Sequence, residues 1–218
     1  MDCYVFGAGE RSLPPAPPPR EAVLVIAADG GYTAAAEVFG APDLAVGDFD
    51  SLGYVPKDVT VVCHPPEKDE TDLFLAVREG LGRGATRFFL MGALGARLDH
   101  TVANLQLLAY LAEHGVEGYL IGADGVAVTA LAGPASLALS AGTEGTVSVL
   151  AHGGSAEGVT LSGFRYPLKE GTLTADFPLG VSNEVAGAAT VTVARGTLLV
   201  FFPIPEGKSD WCPAVSHC

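Results

Sequence analysis

The sequence predicts an α/β half followed by an all-β half, and two observations make the division. Up to about Pro134, short apolar runs bounded by Gly, Pro or Asp alternate with stretches of helical spacing, as in a mostly parallel sheet with helices on both faces. Beyond that point the runs alternate residue by residue between Gly-rich turns, as in an antiparallel sandwich or barrel. The change falls near Ala132-Gly133-Pro134. It gives expected domains at residues 1–133 and 134–204, with an irregular tail at 205–218.

The expected strands of the first half are Cys3 to Phe6, Ala22 to Ala28, Leu44 to Val46, Val59 to Cys63, Arg87 to Met91 and Tyr119 to Ile121. Between them, Asp69 is placed to cap a helix whose Leu73, Ala76, Val77 and Leu81 make one apolar face. Asp99 is placed to cap a second, through Val102, Leu105, Leu108 and Leu111, with Gly115 past its end. The run from Pro14 to Pro19 reads as a stiff surface connection. In the second half the expected strands are Ser136 to Leu139, Thr146 to Ala151, Val159 to Leu161, Thr172 to Ala175, Ala189 to Val193 and Thr197 to Phe202. The tail shows no periodicity, although Trp211 offers an anchor.

Composition narrows the function. At 218 residues and 49% hydrophobic, the chain can bury one large core or two modest ones. Its 25 acidic residues against 12 basic ones give a formal charge of -13, the wrong field for a nucleic-acid backbone. A small anionic ligand carrying its own cation meets no such obstacle. No apolar run is long enough to cross a bilayer, and the first residues lack the pattern of a secretory signal, so a cytoplasmic location is expected. Cys3, Cys63, Cys212 and Cys218 form no C-x-x-C pair and are expected as free thiols.

Four segments that follow strand-like runs carry the chemistry. Ligands of open α/β sheets bind outside the carboxyl ends of the strands, where these segments fall. Asp29-Gly30-Gly31 is either an ordinary turn or a place where backbone amides approach a phosphate closely. Asp48 and Asp50 flank Phe49 and in an extended segment would project to one side, as a hard-oxygen site for Mg²⁺ or as a solvated turn. Asp69 and Asp72 stand at a helix start, where one can cap and the other meet a metal, while Lys68 is either a phosphate contact or one more exposed lysine. From Gly92 to His100, a glycine loop leads into a helix start that favours an anion. Arg97 supplies a forked donor, Asp99 orients it or caps the helix, and His100 shares a helix face with Asn104. Gly7-Ala8-Gly9 lacks the third glycine of a dinucleotide fingerprint and reads as a turn. Gly207-Lys208-Ser209 ends like a P-loop, but Phe202 stands where that motif needs glycine.

In this order the segments resemble the thiamin pyrophosphokinase (thiamine diphosphokinase) family. The likeness extends through Gly158-Val159-Thr160-Leu161, Tyr166-Pro167-Leu168, the run from Pro178 to Glu184, and Gly196-Thr197-Leu198-Leu199. It implies a Rossmann-like catalytic domain, a β-sandwich that helps bind thiamin, and a homodimer with active sites at the subunit interface. It also implies Mg²⁺-dependent transfer of pyrophosphate from ATP to the hydroxyl of thiamin, giving thiamin diphosphate and AMP. Carried to matching positions, Asp29, Asp48, Asp50 and Asp72 become the metal cluster, with Gly30, Gly31, Lys68, Arg97, His100 and Asn104 on the nucleotide side. Asp99, Ser182 and Asn183 fall beside thiamin. Asp72, Arg97 and Asp99 are the expected catalytic residues, and the proton acceptor stays open among Asp72, Asp99 and a metal-linked aspartate. The alternatives are a Mg²⁺-dependent phosphohydrolase of nucleotides or diphosphates, and a non-catalytic sensor of thiamin diphosphate or a nucleotide.

Overall fold

The computed structural model describes residues 1–49, 52–65, 67, 69–207 and 211–217. The chain divides into two compact units, residues 1–107 with 118–124, and residues 108–117 with 125–218.

The first unit is built on strands β1 (Asp2–Phe6), β2 (Leu24–Ala28), β3 (Leu44–Gly47), β4 (Thr60–Cys63), β5 (Arg87–Met91) and β6 (Glu117–Ile121). Their order across the sheet is β6-β5-β1-β2-β3-β4, and β1 pairs in parallel with both β2 and β5. The pairs β2/β3 and β3/β4 are parallel too, so the carboxyl ends of β1 to β5 share one edge, and every apolar run expected in this half is a strand.

Strand alternation places the helices α1 (Tyr32–Phe39) and α2 (Asp72–Gly82) on opposite faces. Tyr4 and Phe6 meet Phe39 of α1, and Tyr4 stacks on its register partner Phe89. Cys3 and its partner Phe88 point the other way, where Gly80 of α2 comes so close that a Cβ there would lie 2.6 Å from Phe88. Gly80 thus lets α2 settle on the sheet.

Two helix expectations are corrected. Thr71, and not Asp69, caps α2, its Oγ1 accepting the Phe74 N–H at 3.2 Å, while Asp69 is exposed. The third helix, α3 (Leu98–Glu113), ends before Gly115 as expected. Its buried side is Asn104, Leu108 and Leu111, and Val102 lies off that face, 49% exposed.

The second unit carries β7 (Val126–Ala132), β8 (Ala135–Ala138), β9 (Thr146–Phe164), β10 (Leu168–Thr174), β11 (Asn183–Val193), β12 (Arg195–Pro203) and β13 (Ala214–His217). The order is β13-β8-β11-β9-β12-β7, with β10 also on β9. The pairings β12/β7, β12/β9, β10/β9, β11/β8 and β13/β8 are antiparallel, as the alternating pattern predicts.

Three features were not expected in this half. The runs at Thr146 and Val159 are one continuous strand of 19 residues. Its first part, Ser148–His152, pairs with β12, and Leu161, Val159 and Ala156 lie opposite residues of β10. The apolar stretch 126–132 is itself a strand. The end of the chain, read as irregular, adds β13 to the edge of β8, anchored by a buried Trp211 whose carbonyl accepts the Ser140 hydroxyl at 3.0 Å.

Candidate active site

Because β1, β2, β3 and β5 run in parallel, the residues just beyond them, Gly7, Asp29, Asp48 and Gly92, gather at one sheet edge. They line a cleft of about 390 Å³ together with Asp72, Arg97, His100 and Asn104.

Asp29 is only 7% exposed and opens a short 3-10 turn with φ at +45°. A left-handed aspartate is uncommon, and such strain gathers at functional sites. Phe49 is also left-handed, at +61°, and buried. Phe49, between Asp48 and Asp50, is therefore not extended. Asp50 and Lys68 lie outside the described residues.

Asp29, Asp48 and Asp72 each offer a carboxylate oxygen, and these three atoms lie within 4.8 Å of one another. Like charges at that separation repel. Oδ1 of Asp29 is buried without a hydrogen-bond partner among the described residues. Leaving such an atom unsatisfied costs about 1–3 kcal/mol. A hard divalent cation relieves both penalties at once, since it takes carboxylate oxygens as ligands. The donor set, oxygen only, fits Mg²⁺.

The opposite wall is the loop between β5 and α3. Gly92, Gly95 and Ala96 are left-handed, at +59°, +71° and +49°, which turns the backbone sharply before Arg97. Asn104, buried one helical turn beyond His100, donates Nδ2–H to the Ala93 carbonyl at 2.6 Å and so braces the loop from below. The Arg97 guanidinium grips Asp99 with two bonds, Nε to Oδ1 at 3.1 Å and Nη2 to Oδ2 at 2.6 Å. This pairing, helped by the His100 N–H, holds the Asp99 carboxyl at about 2 and raises the guanidinium further above its ordinary range. Both side chains are exposed. The pair is a preformed fork at the lip of the cleft.

The remaining expected residues fall in other places. Gly31 is buried behind β1, where a Cβ would come 1.9 Å from the Phe6 carbonyl oxygen, so only glycine fits. Gly30 lines a smaller cavity of about 190 Å³. In the second unit, Ser182 and Asn183 line a cavity of about 220 Å³ with Leu161, Tyr166, Leu168 and Leu179. Ser182 is left-handed at +59° and its N–H is held by Ser148 Oγ at 3.0 Å. Exposed Tyr166, Phe177, Leu179 and Val181 give this region an apolar surface, with Arg165 over the Tyr166 ring and paired with Glu184.

Gly7-Ala8-Gly9 reads as a turn in the sequence, and all three residues line the cleft. A Cβ on Gly9 would stand 2.5 Å from the Gly92 carbonyl oxygen. The two glycines were visible in the sequence; their partner, more than eighty positions away, was not.

A parallel sheet with a carboxylate cluster and a glycine–arginine loop at its carboxyl edge defines an α/β protein whose cleft offers oxygen donors suited to a cation beside donors suited to an anion. Residues 19–120 match the description "Thiamin pyrophosphokinase, catalytic domain", and residues 137–198 match "Thiamin pyrophosphokinase, vitamin B1 binding domain". The chain belongs to the thiamin pyrophosphokinase family. It is 27% identical over 187 residues to the thiamine pyrophosphokinase of Bacillus subtilis (strain 168), spanning 83% of this chain and 87% of that one. Among solved structures it is similar to the thiamin pyrophosphokinase of Geobacillus thermodenitrificans, with a TM-score of 0.75 and 26% identity over 97% of this chain and 100% of that one. The crystal structure of the Bacillus subtilis protein shares its fold with a TM-score of 0.79 at 23% identity, covering 93% of this chain and 98% of that one.

Proposed function

We propose that the protein transfers the terminal pyrophosphoryl group of ATP to the hydroxyl of thiamin, giving thiamin diphosphate and AMP. The observation that carries this is the meeting of Asp29, Asp48 and Asp72, with an orphaned Asp29 oxygen, inside the segment matched as the family's catalytic domain.

Asp29, Asp48 and Asp72 would hold Mg²⁺, and the sequence adds Asp50 to them. The cation supplies neutralisation of charge on the phosphate oxygens. The protein's own part is chiefly placement, because pyrophosphoryl transfer asks for an aligned nucleophile and charge stabilisation rather than covalent chemistry. The Gly92–Arg97 loop presents its turned backbone and the outer edge of the Arg97 guanidinium to the phosphates, and His100 and Asn104 complete that wall. Asp99 holds the guanidinium in place. Kept near 2 by Arg97, Asp99 is a weak proton acceptor, so it acts as a positioning partner for the guanidinium.

The cavity at Ser182 and Asn183 is the candidate thiamin site, supported by the match of its surroundings to a vitamin B1 binding domain. The exposed apolar residues beside it support a homodimer with active sites at the subunit interface. A monomeric mass by sedimentation at working concentration would remove that part. No described helix is long and apolar enough to cross a membrane, in keeping with a cytoplasmic enzyme.

The test is incubation of the purified protein with ATP, Mg²⁺ and thiamin. AMP should appear in step with thiamin diphosphate. ADP as product, phosphate release without thiamin, or tight thiamin diphosphate binding with no turnover would each replace the reading with another.

A further inference from the structure

Ser12 lies ahead of the matched catalytic segment, which begins at residue 19, and belongs to none of the motifs above. It is nonetheless 4% exposed, and its Oγ accepts the Gly92 N–H at 3.1 Å. Gly92 is the first residue of the loop that ends in Arg97.

The contact is one of a series. The segment 7–12 lies along the loop after β5: the Gly7 N–H donates to the Met91 carbonyl at 2.8 Å, that of Gly9 to Gly92 at 2.8 Å, and that of Glu10 to Leu94 at 3.0 Å. The two backbones are so close that a Cβ on Gly92 would stand 2.3 Å from the Gly7 carbonyl oxygen. Arg11 then pairs with Glu37 of α1, the helix that follows Asp29-Gly30-Gly31. A single strap thus touches both the helix behind the acidic cluster and the loop carrying the arginine. Each of its bonds to the loop uses backbone groups except one. Among the described residues only the Ser12 bond depends on a side chain, and it satisfies the amide of the buried, left-handed Gly92.

We propose that Ser12 is a positioning residue for the Arg97 loop: by holding the Gly92 amide it fixes where the loop's backbone and Arg97 meet the phosphates of the nucleotide. The proposal rests on the pyrophosphokinase reading for its substrate, and on the geometry alone for its anchor.

Both parts are tested with Ser12→Ala in the full chain. Hydrogen exchange of the ligand-free protein reads the anchor: amides of residues 92–97 should exchange at least ~10-fold faster than in the wild type, with β5 itself unchanged. Steady-state kinetics reads the positioning: KM for ATP should rise about 10-fold while KM for thiamin stays put. A merely structural role would lower the active fraction and move neither KM. Unchanged exchange in the loop, acceleration spread evenly over the first unit, or an ATP KM at the wild-type value would each overturn the proposal. If Ser12→Ala does not fold, Ser12→Cys keeps the shape of the side chain with a weaker acceptor and is read by the same criteria. A wild-type protein that makes no AMP would defeat the pyrophosphokinase reading, whereas the exchange measurement uses no substrate and still decides the anchor.

Discussion

Asn183 clamps the backbone of Tyr166 with both ends of its amide: Nδ2–H donates to the Tyr166 carbonyl at 2.7 Å, and Oδ1 accepts the Tyr166 N–H at 3.0 Å. Oδ1 also accepts the Glu184 N–H at 2.9 Å, and the side chain is buried. Asn183→Ala would leave three backbone groups without their partner, so a loss of about 2–3 kcal/mol in urea denaturation is expected. Thiamin affinity, measured by calorimetry, should fall at least ~10-fold, because Tyr166 lines the same cavity. Lost affinity at unchanged stability would instead mean that Asn183 acts only by touching the ligand.

Removing one charge from the acidic cluster separates its cost from its use. Asp48→Asn should be no less stable than the wild type in the absence of divalent cations, because it relieves repulsion among Asp29, Asp48 and Asp72. The rise in Tm on adding Mg²⁺, present in the wild type, should shrink or vanish, and turnover should drop at least ~100-fold. A wild-type Tm indifferent to Mg²⁺ would remove the metal role.

Asp99 gives a pH prediction with a definite sign. Its folded-state value, about 2 against an ordinary 3.8, is depressed first by the hydrogen bond from Arg97. The contribution of the pair is therefore fully present above the unfolded value and is lost as the pH falls through 3.8 toward 2. At neutral pH the fork stays charged on both sides. In a carboxyl NMR titration, Arg97→Gln should return Asp99 toward 3.8, and an Asp99 that stays near 2 in that variant would show that another group holds it.

The parallel half was legible because each strand is a compact apolar run stopped by a residue unsuited to strands, as when Ala28 gives way to Asp29 or Met91 to Gly92. The cap of α2 was missed because Asp69 and Thr71 are both good capping residues; the choice is made by Thr71 Oγ1 reaching the Phe74 amide, a matter of two residues in register. β13 was missed for another reason. Its pattern is weak on its own and is stabilised by the waiting edge of β8 and by Trp211, neither of which is local. The acidic cluster was readable as separate segments, since acids after parallel strands converge by topology. Ser12 and Gly7-Ala8-Gly9 were not, because their role consists of contacts with a loop on a neighbouring strand.

The 19-residue β9 has a consequence for how the second unit comes apart. Residues Ser148–His152 of β9 pair with β12, and through it with β7; β10 and most of β11 pair with its later part, β11 leads on to β8, and the start of β11 also lies opposite Thr146 and Val147. Neither the β12 side nor the β11 side can leave as a whole without stripping β9 of its partners there, which disfavours partial opening relative to global opening. Protected amides of β7 and of β8 should therefore report the same opening free energy. Different values would mean that β9 breaks in the middle. Since its pairings join residues far apart along the chain, the unit also bears a high loop-closure cost before any of them form, which places it among the slower-folding topologies.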